Sequence, residues 1–414
     1  MAARPAFGAV LRTLRSRAGL TQEELADRSG LSVRAIRNLE IGRTERPQRQ
    51  TVTLLAHALR LRGDDHTALL AAAGRRQAAP PATGRCELPP GLPELCGRDV
   101  PVAALTRALT ATPGPRAALV TGGPGVGRTA VAVHVAHGVR DAFADGQLYA
   151  DLDQPDRTPM PVDAVLARLL RSLDITDPPD TRDERAALVR AELAARRVLV
   201  VLDNVAHEAQ VRPLLTGAAP SAVLMTSRRD LLALPGVEPV RLEPLPESCA
   251  RQILVRLAGE RVRAEPAAAK AIVDACARLP VALHIAGSWL AARPLRPLAD
   301  LAALLTDDDL VLDRLTVADL SVRACIATHV ATLRPDEQRL LHRLAHLDSD
   351  TMTTMTAAEL RHPLATTEPA LRDGLDALAH AHLLTPAGPG YRMNPLVRRY
   401  AQEEAGLPRL RAAR

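Results

Sequence analysis

Aromatic side chains are almost absent from this sequence: its 414 residues include two phenylalanines, three tyrosines and a single tryptophan, Trp289. The domain cores must therefore consist mainly of leucine, valine and alanine. Leucine and alanine are strong helix formers, so this composition favours helices. Lysine is equally scarce, because Lys270 is the only one and arginine supplies the other positive charges, a bias typical of a high-GC genome.

The sequence also lacks the patterns of a disulfide framework, a zinc site or a membrane span. Its five cysteines are scattered and include no C-x-x-C pair, which argues against both frameworks. No apolar run approaches the roughly 18 residues that a membrane-spanning helix needs. Arginines interrupt the N-terminal segment where a signal peptide requires an apolar stretch. We therefore expect a cytoplasmic protein with reduced thiols and no membrane partner.

Positive charge is concentrated at the N-terminal end. Residues 1–76 carry fourteen arginines against seven acidic side chains, whereas the remaining residues have a net charge of −1. A basic module on a nearly neutral body indicates a nucleic-acid partner at that end. The length is typical of about two to four domains.

Short helices with a tight turn are predicted within residues 7–74. Thr21 and Glu24 have the spacing of a capping box that opens one helix. Ser32 is the expected N-cap of the next helix, over residues 33–39. Two helices joined by a glycine-containing turn are typical of a helix-turn-helix motif.

The segment from Leu20 to Leu59 resembles the Cro/lambda-repressor (XRE) type of helix-turn-helix domain, on Leu20-Thr-Gln-Glu-Glu-Leu-Ala, Gly30-Leu31-Ser32 and Leu39-Glu40. The resemblance implies that the third helix enters the major groove of duplex DNA. Arg34 could then read guanine and Asn38 adenine, while Val33 would face a thymine methyl group. Such modules usually dimerise on half-sites about 34 Å apart. A small helical interaction domain with a basic surface is the alternative. The implied DNA-contacting residues are Gln22, Ser32, Val33, Arg34, Arg37, Asn38, Arg43 and Arg46.

A phosphate-binding loop is predicted at residues 122–129, Gly-Gly-Pro-Gly-Val-Gly-Arg-Thr, between a strand over 117–121 and a helix over 129–139. Its glycines allow backbone N–H groups to point at an anion at a helix N-terminus. Arg128 stands where the motif has lysine, and Thr129 is placed to bind Mg²⁺. The loop therefore predicts a nucleotide site with one unusual residue.

Two further apolar runs predict buried strands of a parallel sheet. Residues 198–204 end in Asp203-Asn204, and residues 222–228 end in Arg228. Ligands bind at the carboxyl ends of such strands. We therefore expect Asp203 to share Mg²⁺ with Thr129, and Arg228 to sense a γ-phosphate.

These motifs, with Leu279-Pro280-Val281-Ala282-Leu283 and Met393-Asn394, resemble the NB-ARC branch of the STAND ATPases from about residue 96 to 404. The closest resemblance is to bacterial regulators that place this switch behind a helix-turn-helix. It implies that ADP or ATP binds with Mg²⁺, with Arg98 and Pro280 near the adenine and Asn394 in place of the histidine of the closing motif. The implied nucleotide-binding residues are Arg98, Gly122, Gly123, Pro124, Gly125, Val126, Gly127, Arg128, Thr129, Ala130, Arg228, Pro280 and Asn394; the implied metal ligands are Thr129 and Asp203.

The predicted fold is multidomain α and α/β. We expect an all-α helix-turn-helix domain at 1–76, a Pro-rich linker at 77–95 that acts as an extended tether, and a parallel-sheet P-loop NTPase (NB-ARC) domain at 96–240. A helical bundle (241–304), a winged helix (305–404) and a tail (405–414) follow. No repeat of about 34 residues is visible, so the repeat sensor of the relatives is expected to be missing or replaced.

Three substitutions, one of which covers two adjacent residues, depart from the family pattern and argue against fast hydrolysis. Arg128 is not a conservative replacement for lysine at a close-packed site. Asn204 stands where many relatives have a second acid, and Asn394-Pro395 replaces His-Asp. Binding without efficient hydrolysis, slow hydrolysis and an empty structural fold all remain open.

The favoured function is a transcription regulator that is expected to be a homo-oligomer on a DNA operator. ADP or ATP is expected to control its assembly or its DNA binding. The alternatives are a STAND ATPase in signalling or defence and a nucleotide-free scaffold that dimerises the DNA reader.

Overall fold

The computed structural model describes residues 7–29, 31–41, 51, 55–56, 58–59, 61, 72, 85–92, 94–111, 116–154, 158–175, 177–215, 220–306, 310–347, 356–360, 364 and 367–406. The chain divides into two compact units, Met1–Ala82 and Thr83–Arg414. Across the described residues, no helix combines the length and the apolar character needed to cross a membrane.

The first unit contains α1 (Phe7–Arg17), α2 (Gln22–Ser29) and α3 (Val33–Glu40). The predicted capping box opens α2: the Thr21 N–H donates to the Glu24 carboxylate at 2.8 Å, and the Glu24 N–H donates to the Thr21 hydroxyl at 3.1 Å. These two bonds satisfy donors that the helix itself cannot pair.

A small leucine-rich core holds these helices together. It is built from Phe7, Leu11, Leu14, Leu20, Leu25, Ala26, Ile36, Leu39, Leu55, Ala56, Ala58 and Leu59. α1 passes close to the end of α3 at Gly8, where an added Cβ would lie 2.4 Å from the Leu39 carbonyl oxygen. Only glycine fits this crossing without a shift of the backbone.

The second unit is built on a six-stranded sheet of β1 (Arg85–Cys86), β2 (Ala117–Gly122), β3 (Gly146–Asp151), β4 (Val198–Val205), β5 (Ala222–Ser227) and β6 (Val237–Leu242). All of its pairs are parallel, in the order β1-β3-β4-β5-β2-β6. The predicted phosphate loop follows β2 and Asp203 lies on β4, so β5 separates the two motif-bearing strands.

Helices cover both faces of this sheet, which explains its continuous apolar strands. Alternate residues of β4 enter two separate cores: Val198, Val200 and Leu202 face one side, and Leu199 and Val201 face the other. The predicted α/β fold is confirmed. The helices packed on the faces are α4 (Asp99–Thr110) and α5 (Arg128–Gly138) on one side, and α6 (Val162–Ser172) and α7 (Arg182–Ala195) on the other.

The predicted tether differs from the structure over residues 85–92. β1 pairs with β3 at the edge of the sheet. The following segment lies along α5, where ring nitrogens of His134 and His137 contact the carbonyl oxygens of Leu92 and Pro89 at 3.0 and 2.9 Å. Proline carbonyls still accept hydrogen bonds, so a Pro-rich sequence can be fixed in this way.

The described remainder of the second unit is helical apart from two short antiparallel strand pairs: β7 (Thr316–Val317) with β8 (Leu320–Ser321), and β9 (Leu384–Ala387) with β10 (Gly390–Met393). One continuous cluster of buried residues extends from Leu245 to Ala401, so the predicted domains 241–304 and 305–404 share a core. β9 and β10 pair antiparallel near the predicted strand signals. The elements are α8 (Glu247–Ala258), α9 (Arg261–Ala264), α10 (Pro266–Ala275), α11 (Pro280–Ala291), α12 (Leu298–Thr306), α13 (Val311–Arg314), β7 (Thr316–Val317), β8 (Leu320–Ser321), α14 (Val322–Val330), α15 (Pro335–Ala345), α16 (Ala357–Leu360), α17 (Glu368–His380), β9 (Leu384–Ala387), β10 (Gly390–Met393) and α18 (Pro395–Glu404).

Candidate nucleotide site and DNA-facing helix

The phosphate loop connects β2 to α5, as the sequence predicts. Gly125 has φ 71°, a left-handed conformation that favours glycine. A Cβ at this position would also lie 2.4 Å from Cγ1 of Val281, at the start of α11. The Val281 N–H approaches the Gly125 carbonyl oxygen at 3.4 Å. The first turn of α11 therefore packs directly on the loop.

A cavity of about 720 Å³ lies against the loop. This volume is within the range of small-molecule sites, about 300–1,000 Å³. Leucines and Pro280 form an apolar part of its wall that suits a planar base. The predicted nucleotide-binding residues that line it are Arg98, Gly125, Val126, Gly127, Arg128, Thr129, Ala130 and Pro280.

Arg98 braces the loop from the wall of this cavity. Its guanidinium donates to the carbonyl oxygens of Glu243 at 2.8 Å and Val126 at 3.0 Å. Burial lowers the pKa of Arg98. The side chain thus fixes the loop relative to the end of β6. Because the guanidinium is engaged by these two backbone carbonyls, the apolar wall is the part of the cavity that would contact an adenine base.

Thr129 and Asp203, the predicted metal ligands, lie together. The Thr129 hydroxyl is 2.9 Å from Oδ1 and 3.0 Å from Oδ2 of Asp203. Tyr149 donates to Oδ2 at 3.0 Å and Thr226 donates to Oδ1, which holds the buried carboxylate in place. Burial, and next the nearby Asp203 carboxylate, raises the pKa of Tyr149, so the phenol remains a donor.

A hydroxyl and a carboxylate suit Mg²⁺, which takes oxygen ligands and uses one or two carboxylates together with substrate phosphates. Within the described residues, no group of three or more His, Cys, Asp or Glu side chains could hold a metal by itself. A magnesium ion at Thr129 and Asp203 would therefore take its remaining ligands from phosphate oxygens and water.

Arg128 points back into the loop. Its Nη1 donates to the carbonyl oxygens of Gly122 and, at 3.0 Å, Gly123, and lies 2.9 Å from Nε2 of His329 on α14. Burial, with a smaller contribution from the nearby Arg228 charge, lowers the pKa of Arg128 to about 10. His329 is a residue of this site that sequence reasoning missed, because no motif or spacing marks it.

Arg228 is not among the residues that line the cavity. Its largely buried guanidinium pairs with Asp153, with one nitrogen 3.1 Å from Oδ1, and lies 3.2 Å from the Asn204 side-chain oxygen. Asn204 adopts φ 59° and donates its amide to Asp151 at 3.0 Å. Contact between Arg228 and a γ-phosphate stays a prediction, and it would require the guanidinium to leave Asp153.

Asn394 lies beside the loop but outside the main cavity. Its side-chain oxygen accepts the Leu396 N–H at 2.9 Å and thereby caps α18, whose first residue is Pro395. It lines a small cavity of about 30 Å³ together with Gly123 and Pro124. Asn394, at the position of the closing-motif histidine, is thus adjacent to the phosphate loop, and its side-chain oxygen is already bonded to the first turn of α18.

The exposed side of α3 carries the predicted base-reading residues. Ser32 caps the helix by accepting the Ala35 N–H at 3.2 Å. Val33, Arg34 and Arg37 are exposed and Asn38 is half-buried.

Gln22, predicted to touch a phosphate, donates its amide to the buried Glu40 at 2.8 Å. Arg43 and Arg46 lie outside the described residues. The phosphate contacts of all three stay predictions.

Comparisons with known sequences identify the N-terminal domain and two similar bacterial proteins. Residues 6–70 match the helix-turn-helix domain family. The chain is 40% identical over 322 residues to the regulatory protein AfsR of Streptomyces griseus and 40% identical over 328 residues to that of Streptomyces coelicolor. Each match covers 76% of this chain and 33% of the relative, so the chain spans about a third of the length of the curated relatives that it matches.

Solved structures that match this chain share little of its sequence, and their TM-scores lie below 0.5. A Walker-type ATPase of Pyrococcus abyssi has a TM-score of 0.48 at 12% identity, covering 74% of this chain and 96% of that one. A STAND protein of Pyrococcus horikoshii with a tetratricopeptide repeat sensor has a TM-score of 0.36 at 16% identity, covering 78% and 44%. The fold assignment rests on the sheet order and the loop geometry. The chain therefore joins a helix-turn-helix domain to a P-loop NTPase-type domain and is similar, over most of its length, to bacterial regulatory proteins.

Proposed function

We propose that this protein is a sequence-specific DNA-binding transcription regulator whose assembly or DNA binding is controlled by ADP or ATP in the P-loop site. The observation that carries the nucleotide half of the proposal is the cavity of about 720 Å³ against residues Gly125 to Ala130. Backbone N–H groups at the start of α5 are suited to phosphates. The Thr129–Asp203 pair is suited to their magnesium ion.

The DNA-binding half is supported by the match of residues 6–70 to the helix-turn-helix family and by the exposed face of α3. The excess of arginine in residues 1–76 would supply phosphate contacts. Both similar proteins are named as regulatory proteins.

Hydrolysis is proposed to be weak, because the groups that would drive it are engaged elsewhere. Phosphoryl transfer depends on positioning and on charge stabilisation. Arg128 is bound to loop carbonyls and His329, and the Asn204 amide is bound to Asp151. Asn204 also lacks the carboxylate that would orient an attacking water.

The decisive experiment is to denature the purified full chain and identify released nucleotide by chromatography. We expect close to one ADP or ATP per chain. Gly125→Ala should remove it, since the new Cβ would meet Val281 at 2.4 Å. Gly138→Ala is the matched control, because a Cβ there has no neighbour within 4 Å.

A wild-type chain that neither retains nor rebinds adenine nucleotide would refute nucleotide control and favour the scaffold. Phosphate release at about 1 s⁻¹ or faster, which is within the ordinary range of enzymes, would favour the ATPase. Failure to bind duplex DNA at any salt concentration would refute the regulator itself.

A further inference from the structure

Arg128 makes a contact outside its own domain that the usual lysine motif does not describe. Its Nη1 lies 2.9 Å from Nε2 of His329, which belongs to α14 in the C-terminal part of the second unit. The same nitrogen also donates to the carbonyl oxygens of Gly122 and Gly123. One guanidinium therefore ties α14 to the phosphate loop.

The roles in this hydrogen bond follow from the other side of the imidazole ring. Nδ1 of His329 lies 3.1 Å from the carbonyl oxygen of Cys325, which can only accept, so Nδ1 carries the proton. Nε2 of the neutral ring is then an acceptor for Arg128. His329 is 1% exposed, so in this arrangement its ring depends on protein partners for its hydrogen bonds.

The cation of a phosphate loop is also the group that reaches the β- and γ-phosphates. A γ-phosphate that draws Arg128 toward the nucleotide would take the guanidinium from His329. The buried Nε2 would then be unsatisfied, which carries a free-energy cost. A diphosphate has no γ-phosphate and leaves the Arg128–His329 contact in place.

We propose that His329 is a specificity-determining residue of the nucleotide site: by accepting the hydrogen bond of Arg128, it makes the arrangement seen here favour a nucleoside diphosphate over the triphosphate. This inference rests on the proposed function, because it assigns regulation to the same site. It also gives the arginine of the loop a role that lysine would fill poorly, since an ammonium is compact and strongly hydrated.

The test is the ratio of the affinities for ADP and the non-hydrolysable triphosphate AMP-PNP, measured on the nucleotide-stripped full chain with equal Mg²⁺. We expect the wild type to favour ADP by at least about tenfold, the size of one hydrogen bond to a charged group. His329→Leu removes the acceptor at similar volume and should bring the ratio close to one. His329→Gln keeps an acceptor oxygen and should stay nearer to the wild type.

His342→Leu is the matched control, because it removes a half-buried histidine of α15 that does not line the nucleotide cavity. Its ADP preference should equal that of the wild type. If both nucleotides bind and His329→Leu keeps the wild-type ratio, the inference is wrong. If the wild type binds neither nucleotide, the proposed function fails first and this inference fails with it.

Hydrogen exchange on the unmutated chain gives a readout that does not depend on the folding of a variant. Amides of α14 should exchange faster with AMP-PNP bound than with ADP bound, because the triphosphate releases the helix from the loop. Equal exchange of α14 in the two complexes would overturn the inference.

Discussion

Glu40 shows how a single buried carboxylate organises the helix-turn-helix unit. Its side chain is fully buried and accepts hydrogen bonds from Arg15 at 2.6 Å and Gln22 at 2.8 Å. These bonds join the last residue of α3 to α1 and α2. The family resemblance assigned Gln22 to a DNA phosphate, and no local sequence pattern indicates that its amide has a buried partner.

The stability of this unit should depend on pH through Glu40. Burial by itself would raise the pKa of Glu40, but hydrogen bonds from Arg15 and Gln22 outweigh it, so the pKa is lowered. A lowered folded-state pKa stabilises the fold above the unfolded value, about 4.3, and this contribution is lost as the pH falls toward the folded value. Glu40→Gln should therefore destabilise the unit by about 1–3 kcal/mol at neutral pH and by less in acid.

Thermal unfolding of the full chain, followed by a probe in the first unit, would measure this difference. Glu23→Gln, an exposed change on α2, is the control and should have little effect at any pH. A penalty for Glu40→Gln that stays constant down to pH 3 would contradict the assignment.

Arg34 should contribute sequence discrimination, not general affinity. A bidentate arginine–guanine pair provides about 1–3 kcal/mol of discrimination, so Arg34→Ala should weaken binding to a selected operator by about tenfold or more. Arg107→Ala removes the same charge from an exposed position of α4 in the second unit and should leave binding unchanged. Fluorescence anisotropy at one fixed salt concentration would separate the two. Equal losses on operator and unrelated duplexes would identify a phosphate contact instead.

At the scale of elements, the crossing of α1 and α3 depends on the absence of a side chain. A Cβ at Gly8 would lie 2.4 Å from the Leu39 carbonyl oxygen and 2.6 Å from that of Glu40. Overpacking of this kind costs about 1–3 kcal/mol. Gly8→Ala should therefore lower the unfolding temperature of the first unit and weaken DNA binding, although alanine is the better helix former.

Ala9→Ser on the exposed side of α1 is the companion variant for that measurement. It should leave both the unfolding temperature and the DNA affinity near their wild-type values. A Gly8→Ala chain that unfolds at or above the wild-type temperature would show that the helices can separate without cost.

Local patterns made several elements predictable from the sequence. The capping box of Thr21 and Glu24, the loop between β2 and α5 and the acidic end of β4 are each encoded within a few residues. Their spacing fixes local geometry, and the parallel sheet then brings Thr129 and Asp203 together.

The contacts that the sequence did not reveal are between distant segments. β1 joins the sheet through β3, Arg228 pairs with Asp153 and Arg128 meets His329. Each partner lies about 60 to 200 residues away or carries no motif of its own. Such pairings depend on the final packing of helices, which periodicity and composition do not specify.

For the whole molecule, the C-terminal half of the second unit should move as one body. Its buried residues form one cluster from Leu245 to Ala401. We expect labels at exposed residues 303 on α12 and 373 on α17 to keep the same separation with ADP and with AMP-PNP. Labels at 107 on α4 and 373 should change separation. Paired spin labels would measure both distances, and a change in the first pair would mean that the shared core divides.

The shared core has a mechanical consequence. Because α11 and α14 both contact the phosphate loop and share one buried core, a change at the loop would turn that core about these two contacts. A rotation of a few degrees about these contacts would displace each residue in proportion to its distance from the loop. The elements of the core that lie furthest from the loop would then move the most. Under the proposed control, this displacement would distinguish bound ADP from bound ATP.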